Sequence, residues 1–188
     1  MTGHSAVPIN LAVIGAGPLG RRLAFHAANA GFRVILEDVM PSSLRHAEEA
    51  LRQELNPAAM PLVSFARTVE EAVREADLAI DCVPDELESK LEIFSLMDRM
   101  APPRTVFATP TTALSIADLA SCTYRPGQCV GLAVNAEQLL AHGSAGLLIP
   151  IRVTSRTSSE TQKLVCSFWE RLGYRPEAEL DTAEAMLR

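Results

Sequence analysis

A short glycine-rich segment near the N-terminus has the spacing of a phosphate-binding turn. Gly15, Gly17 and Gly20 form the pattern G-x-G-x-x-G between an apolar run and a stretch with helical spacing. In such a turn the first glycine permits the tight bend and the second lets a pyrophosphate approach the backbone. The third lets the helix pack closely on the strand, and the helix N-terminus offers N–H groups to the phosphates. We therefore predict that Gly15, Gly17, Pro18, Leu19 and Gly20 bind the pyrophosphate of a dinucleotide.

An acidic pair follows the next apolar run. Glu37 and Asp38 come directly after Val34, Ile35 and Leu36, and Asp38 lies 18 residues beyond Gly20. A carboxylate at this place binds the adenosine ribose hydroxyls of NAD and repels the additional phosphate of NADP. We therefore predict NAD as the cofactor and Asp38 as its ribose ligand. The alternative is a tight glycine turn followed by solvated acids.

Short apolar runs alternate with longer amphipathic stretches along the whole chain. This order is typical of βαβ units, so we predict a doubly wound, mostly parallel, Rossmann-like α/β sheet. Residues 9–188 would form a single dinucleotide-binding domain after a loose leader, 1–8. The predicted strands are 10–14, 33–36, 62–66, 78–83, 105–108, 129–134, 147–154 (broken by Pro150) and 175–180. The predicted helices are 19–30, 41–55, one that begins at the capping box 68–71, 85–100, 115–121, and one that begins at the capping box 157–160.

Charge and cysteine usage exclude several classes of protein. The chain has 17 basic and 23 acidic residues, a formal net charge of −6, which disfavours nucleic acid as a partner. The longest apolar runs are far too short for a membrane span. The four cysteines form no Cys-x-x-Cys pair. We read them as free thiols in a reducing cytoplasm rather than as disulfides or metal ligands.

Several further segments carry a family resemblance. In order and spacing, from about residue 9 to 181, the chain resembles the NAD-binding domain of the 3-hydroxyacyl-CoA dehydrogenase family. The matching segments are 12–20, 34–39, 76–85, 100–103, 111–116, 125–126, 130–132 and 157–161. The resemblance implies that Cys82, Val83 and Pro84 line the cofactor at the carboxyl end of the fourth strand. It places Lys90 near the nicotinamide; the alternatives are a packed thiol for Cys82 and a solvated helix lysine for Lys90.

The catalytic positions of the family do not carry over. The resemblance implies a general-base histidine where this chain has Ala133, and its glutamate partner where this chain has Pro150. An asparagine of the family is replaced by Pro110, and Thr112 alone keeps a hydroxyl at a substrate-contacting position. His142 lies nine residues past the lost base, in a loop where a solvated histidine is expected. We predict no catalytic residue, with Thr112 as the one remaining candidate.

Two functions remain open at this point. Family members continue into a helical domain that completes the acyl-CoA site, whereas this sequence ends at Arg188. The first hypothesis is a degenerate cofactor-binding module, a pseudoenzyme from fatty acid metabolism. The second is a small NAD-dependent oxidoreductase for a hydroxy-acid or hydroxyacyl substrate, with a site completed by a second chain. An uncovered apolar face would favour a homo-oligomer such as a homodimer, or a partner protein.

Overall fold

A computed structural model describes residues 9–135 and 146–183. In this part of the chain, strands and helices alternate as predicted. The strands are β1 (Asn10–Ile14), β2 (Arg33–Glu37), β3 (Val63–Ala66), β4 (Leu78–Asp81), β5 (Val106–Pro110), β6 (Cys129–Leu132), β7 (Leu148–Val153) and β8 (Arg175–Leu180). The helices are α1 (Pro18–Asn29), α2 (Pro41–Glu54), α3 (Val69–Val73), α4 (Leu87–Met100), α5 (Ile116–Ser121) and α6 (Ser159–Arg171).

All eight strands belong to one sheet in the order β3-β2-β1-β4-β5-β6-β7-β8. Every neighbouring pair is parallel except β6–β7, which is antiparallel. The predicted doubly wound, mostly parallel fold is therefore confirmed. The strand order changes direction between β1 and β4. Ligands of open α/β sheets bind at such a switch point, outside the carboxyl ends of the strands.

Helices cover both faces of the sheet and bury two apolar layers. One layer joins the sheet to α1, α2 and α6 through residues such as Leu23, Leu51 and Trp169. The other joins it to α3, α4 and α5 through residues such as Phe94 and Leu119. The central strands supply both layers, which explains why they are apolar without alternation. None of the described helices has the length and apolar character needed to cross a membrane.

Two local predictions were wrong. Pro150 does not break its strand, because it lies within β7, where its carbonyl oxygen accepts a hydrogen bond from Ala133 N at 3.1 Å. Proline has no N–H to donate in the β6–β7 ladder of hydrogen bonds. Because Ala133 lies just after the last residue of β6, the missing bond falls at the end of that ladder. The last helix is capped by Ser158 rather than Thr157, since the Ser158 hydroxyl accepts from Thr161 N.

Candidate functional site

The glycine turn connects β1 to α1 across the carboxyl end of β4. Gly15 has φ +100, and a Cβ built on it would lie 3.2 Å from the backbone carbon and oxygen of Cys82. Its N–H donates to the carbonyl oxygen of Glu37 at 2.8 Å, which ties the turn to the end of β2. A left-handed conformation at such a close approach requires glycine. This turn therefore holds the ends of three strands together.

The other two glycines of the turn face different surroundings. A Cβ on Gly20 would lie 1.8 Å from the carbonyl oxygen of Gly15, so this position admits no side chain. Gly17, the N-cap of α1, has φ −66, and a Cβ there would meet nothing within 4 Å. Folding therefore requires glycine at Gly20, whereas the bare backbone of Gly17 borders open space. That space adjoins the first turn of α1, whose N–H groups lack partners within the helix and suit an anion.

A cleft of about 760 Å³ opens beside this turn. The volume lies within the range of small-molecule sites. Most of the predicted cofactor-binding residues line it, namely Gly15, Gly17, Pro18, Leu19, Asp38, Cys82, Val83 and Pro84. Sequence reasoning missed the remaining lining residues, which are Ile14, Glu37, Val39, Arg67, Thr68, Val69, Glu92, Ile93 and Leu96. The missed residues come from several elements that only the fold brings together.

The Asp38 carboxylate sits at the mouth of the glycine turn. One of its oxygens accepts a hydrogen bond from Ala16 N at 2.9 Å, and the other accepts from Met40 N at 2.8 Å. These two bonds hold the carboxylate in a defined position where it remains partly exposed to the cleft. Arg22 of α1 forms an ion pair with Glu54 of α2 at 3.0 Å.

Lys90 lies in the interior beneath the cleft. Its side chain is 0% exposed, which excludes the alternative of a solvated helix lysine. Its ammonium donates to Asp81 Oδ2 at 3.2 Å, to the Val83 carbonyl at 3.2 Å and to Thr109 Oγ1 at 2.9 Å. These three acceptors match the three protons of the group. Lys90 thus holds the end of β4 in place and does not itself line the cleft.

Asp81 is the acidic partner of Lys90 and is equally buried. Burial raises the pKa of this carboxyl, and the Lys90 ammonium and the hydrogen bonds from Val83 N and Thr109 oppose the shift. Burial also raises the pKa of the neighbouring Cys82 thiol. A thiol with a raised pKa is a poor nucleophile. Cys82 therefore packs as a neutral side chain against the core, while it also borders the cleft.

Glu37 is a buried acid inside the cleft, and the sequence analysis assigned it no role. It is 5% exposed, and burial together with the nearby charge of Asp38 raises its pKa to about 7. Its place at the end of a strand did not distinguish it from an ordinary solvated acid. The signal in the sequence is the alternation of side chains along β2, which predicts that Glu37 lies on the same face of the sheet as Ile35. Val34 and Leu36 point into one apolar layer, whereas Ile35 and Glu37 point to the other.

The two positions to which the resemblance assigns the catalytic pair lie next to each other. Ala133 follows β6 and Pro150 lies in β7, and the hydrogen bond between them joins the two backbones. Neither side chain can accept or donate a proton. Thr112 is exposed on the loop after β5, while Pro110 is buried at the end of that strand. His142 lies outside the described residues, as does the leader 1–8.

The described residues contain no group of three or more histidine, cysteine or acidic side chains that would hold a metal ion. All four cysteines are free thiols. The lining of the cleft combines a bare glycine turn with the fixed carboxylate of Asp38, a combination that suits a nucleotide.

Comparison with protein families gives a match over most of the chain. The model described as "3-hydroxyacyl-CoA dehydrogenase, NAD binding domain" matches residues 10–176.

Individual relatives match in the same region. The chain is 34% identical over 133 residues to a probable 3-hydroxybutyryl-CoA dehydrogenase of Bacillus subtilis, covering 64% of this chain and 46% of that protein. It is 29% identical over 192 residues to the mitochondrial hydroxyacyl-coenzyme A dehydrogenase of Sus scrofa, covering 92% and 59%. The chain thus spans about half the length of these relatives.

A solved structure of similar fold is that of 3-hydroxybutyryl-CoA dehydrogenase from Escherichia coli. It matches with a TM-score of 0.81 and 24% identity, over 94% of this chain and 39% of that one. At this identity the likeness concerns the fold.

Proposed function

The chain belongs to the NAD-binding domain family of the 3-hydroxyacyl-CoA dehydrogenases, and from this membership we propose that it is an NAD(H)-binding module without the catalytic pair of the family. NAD is the cofactor of this family domain. The proposed module comprises residues 9–188. We propose cofactor binding and the loss of catalysis as separate properties of the chain.

Binding rests on the glycine turn and the carboxylate beside it. In the proposed complex the backbone at Gly17 and the first turn of α1, with Pro18 and Leu19, border the pyrophosphate. Gly15 and Gly20 shape the turn. Asp38 binds the ribose hydroxyls. Its fixed carboxylate would lie close to a 2′-phosphate, which favours NAD over NADP.

The end of β4 forms the opposite wall of the proposed site. Cys82, Val83 and Pro84 line the cleft there. Lys90 supports this wall from the interior, because its ammonium donates a hydrogen bond to the carbonyl oxygen of Val83 at 3.2 Å. Bound nicotinamide supplies hydride transfer chemistry. The residues named here bind and orient the dinucleotide, and none of them is assigned a proton transfer.

The absence of catalysis rests on one observation. Ala133 and Pro150, the positions that the family resemblance assigns to the pair, are hydrogen-bonded to each other through their backbones, and this proximity supports the proposal. Loss of a positioned general base costs about 10²- to 10⁴-fold in rate. Here the residue that would orient that base is replaced as well. Thr112 has a hydroxyl but no basic group, so it does not substitute for the pair.

Two alanine substitutions test the binding site against stability. Gly17→Ala adds a methyl group to the open space beside α1, so we expect loss of NADH binding with a stability change within about 1 kcal/mol. Gly31→Ala is the matched control: Gly31 has φ +86 and lies at the other end of α1. There we expect unchanged binding and a loss of about 1–2 kcal/mol in stability. Calorimetric titration and urea unfolding measure the two quantities, and equal NADH affinity in both variants would contradict the proposed site.

Absorbance at the NADH wavelength tests catalysis. With 3-hydroxybutyryl-CoA and NAD present, we expect no turnover by the purified protein above the uncatalysed rate. Steady turnover of about 1 per second or more would instead support a working oxidoreductase whose site is completed by other residues or a second chain. The association with fatty acid metabolism rests on the family resemblance.

We also propose that the protein forms a homo-oligomer in a reducing compartment, the cytoplasm. Four free thiols support the compartment. Exposed apolar side chains support association: Tyr124 is 97% exposed and Leu180 is 65% exposed. Light scattering of the purified protein measures its mass, and a monomer at every accessible concentration would contradict the proposal.

A further inference from the structure

The carboxyl group of Glu37 faces the cleft from an unusual position. Glu37 is the last residue of β2, and its side chain lies on the face of the sheet that α3 and α4 cover. The apolar residues beside it in the cleft include Ile14, Val69 and Ile93. A carboxylate in such surroundings loses hydration without gaining an apolar contact. Its presence there therefore requires an explanation.

Nothing within the described residues supplies a partner for this carboxyl. Among residues 9–135 and 146–183, the Glu37 side chain takes part in no hydrogen bond and no ion pair, although Glu37 is only 5% exposed. The nearest charge that acts on it is Asp38, which repels it. Arg67 also lines the cleft but forms no ion pair with Glu37. The carboxyl oxygens have no protein partner in this part of the chain and are accessible from the cleft, so a donor on a bound ligand can reach them.

The order of features along the cleft identifies that donor. The glycine turn borders the proposed pyrophosphate site, and Asp38 the proposed ribose site. The base attached to this ribose must lie further along the cleft. Apart from the residues already assigned, the lining combines apolar side chains, Val39, Val69, Ile93 and Leu96, with the carboxyl of Glu37 and with Arg67, Thr68 and Glu92. Flat apolar walls suit the faces of a purine, and a hydrogen-bond acceptor suits its exocyclic amine.

We propose that Glu37 recognises the adenine base of the dinucleotide by accepting a hydrogen bond from its exocyclic amine. This inference rests on the proposed function, since it assigns a residue within the proposed NAD site. It makes Glu37 a specificity-determining residue for the base, distinct from Asp38, which acts on the ribose. A purine that has a carbonyl oxygen in place of the exocyclic amine would present an acceptor to the Glu37 carboxylate, which is also an acceptor. Its binding is therefore disfavoured.

NADH and reduced nicotinamide hypoxanthine dinucleotide are the probes. The second has a carbonyl oxygen in place of the amine and a hydrogen on the adjacent ring nitrogen, one atom away from the proposed contact. Titration calorimetry at about pH 8.5 keeps Glu37 ionised and therefore an acceptor only. We expect the protein to bind NADH about tenfold or more tightly than the hypoxanthine analogue, as one hydrogen bond to a charged group predicts. A wild-type ratio near one would overturn the proposal.

Two leucine variants assign the discrimination to its residue. Glu37→Leu removes the acceptor, so we expect the affinity ratio to fall to within about twofold of one. Glu88→Leu is the matched control, because Glu88 is an exposed acid in the first turn of α4 and does not line the cleft. There we expect the wild-type ratio. A Glu37→Leu protein that keeps the wild-type ratio refutes the role of Glu37 while NAD binding stands, whereas a wild-type protein that binds neither dinucleotide refutes the proposed function itself.

Discussion

Replacement of Lys90 by methionine tests whether the buried network under the cleft is essential for the fold. The substitution keeps the length of the side chain and removes its charge. Asp81, 0% exposed, would lose an ammonium 3.2 Å away, while Thr109 and Val83 would each lose a donor. Removing one partner of a buried ion pair costs about 3–5 kcal/mol. We expect a loss of this size in the free energy of unfolding, a large part of the stability of a typical domain.

The loss also depends on pH in a defined direction. Burial already raises the pKa of Asp81, and without Lys90 its pKa rises further. An acid with a raised pKa in the folded state destabilises that state increasingly as pH rises from its unfolded pKa to its folded pKa. The deficit of Lys90→Met is therefore expected to be smaller at about pH 5 than at about pH 8.

Urea unfolding followed by circular dichroism at both pH values measures the deficit. The double variant Lys90→Met with Asp81→Asn carries no charge in this buried network, and we expect it to recover most of the lost stability. A loss below about 1 kcal/mol in the single variant, or a deficit that does not change with pH, would refute this reasoning.

Three further substitutions have distinct outcomes. Glu37→Gln removes an acid whose pKa rises from 4.5 to about 7 on folding, so in dinucleotide-free protein we expect a gain in stability. The gain should grow between about pH 5 and pH 8 to about 3 kcal/mol in urea unfolding; a pH-independent difference would contradict it. Gly20→Ala forces a Cβ to 1.8 Å from Gly15 O, and we expect a loss of about 3 kcal/mol or more, visible as a lower melting temperature. Asp181→Ala leaves Arg152, which is 7% exposed, without its carboxylate partner. We expect a loss of about 3–5 kcal/mol in urea unfolding, and wild-type stability would show that the pair is dispensable.

Much of the fold could be predicted because its signals are local. Gly15 is required by its positive φ and Gly20 by a 1.8 Å approach, and both requirements appear in the sequence as the spacing G-x-G-x-x-G. The apolar runs of β1, β2 and β4 are buried on both faces, so they appear without alternation. Thr68 could be recognised as a cap from its own neighbours and accepts from Glu71 N as expected.

The parts that could not be predicted depend on contacts between distant segments. The pairing of Asp81 with Lys90 and Thr109 joins β4, α4 and β5, and no local pattern reveals that a helix lysine turns inward. The neighbourhood of Ala133 and Pro150 arises from the antiparallel pairing of β6 with β7. An acid inside an otherwise apolar strand, as at Asp81, is the sequence signal that points to such a buried network.

Strand β8 forms an edge of the described sheet, and its chemistry limits how the sheet can grow. Arg175 N and Asp181 N donate to β7, so the alternate residues Pro176, Ala178 and Leu180 direct their backbone groups outward. Proline has no N–H, which removes one of the donors that an added strand would need. Charged side chains at Glu177 and Glu179 flank the same edge. The β8 edge therefore resists both amyloid-like stacking and the pairing of two copies into a continuous sheet through this strand.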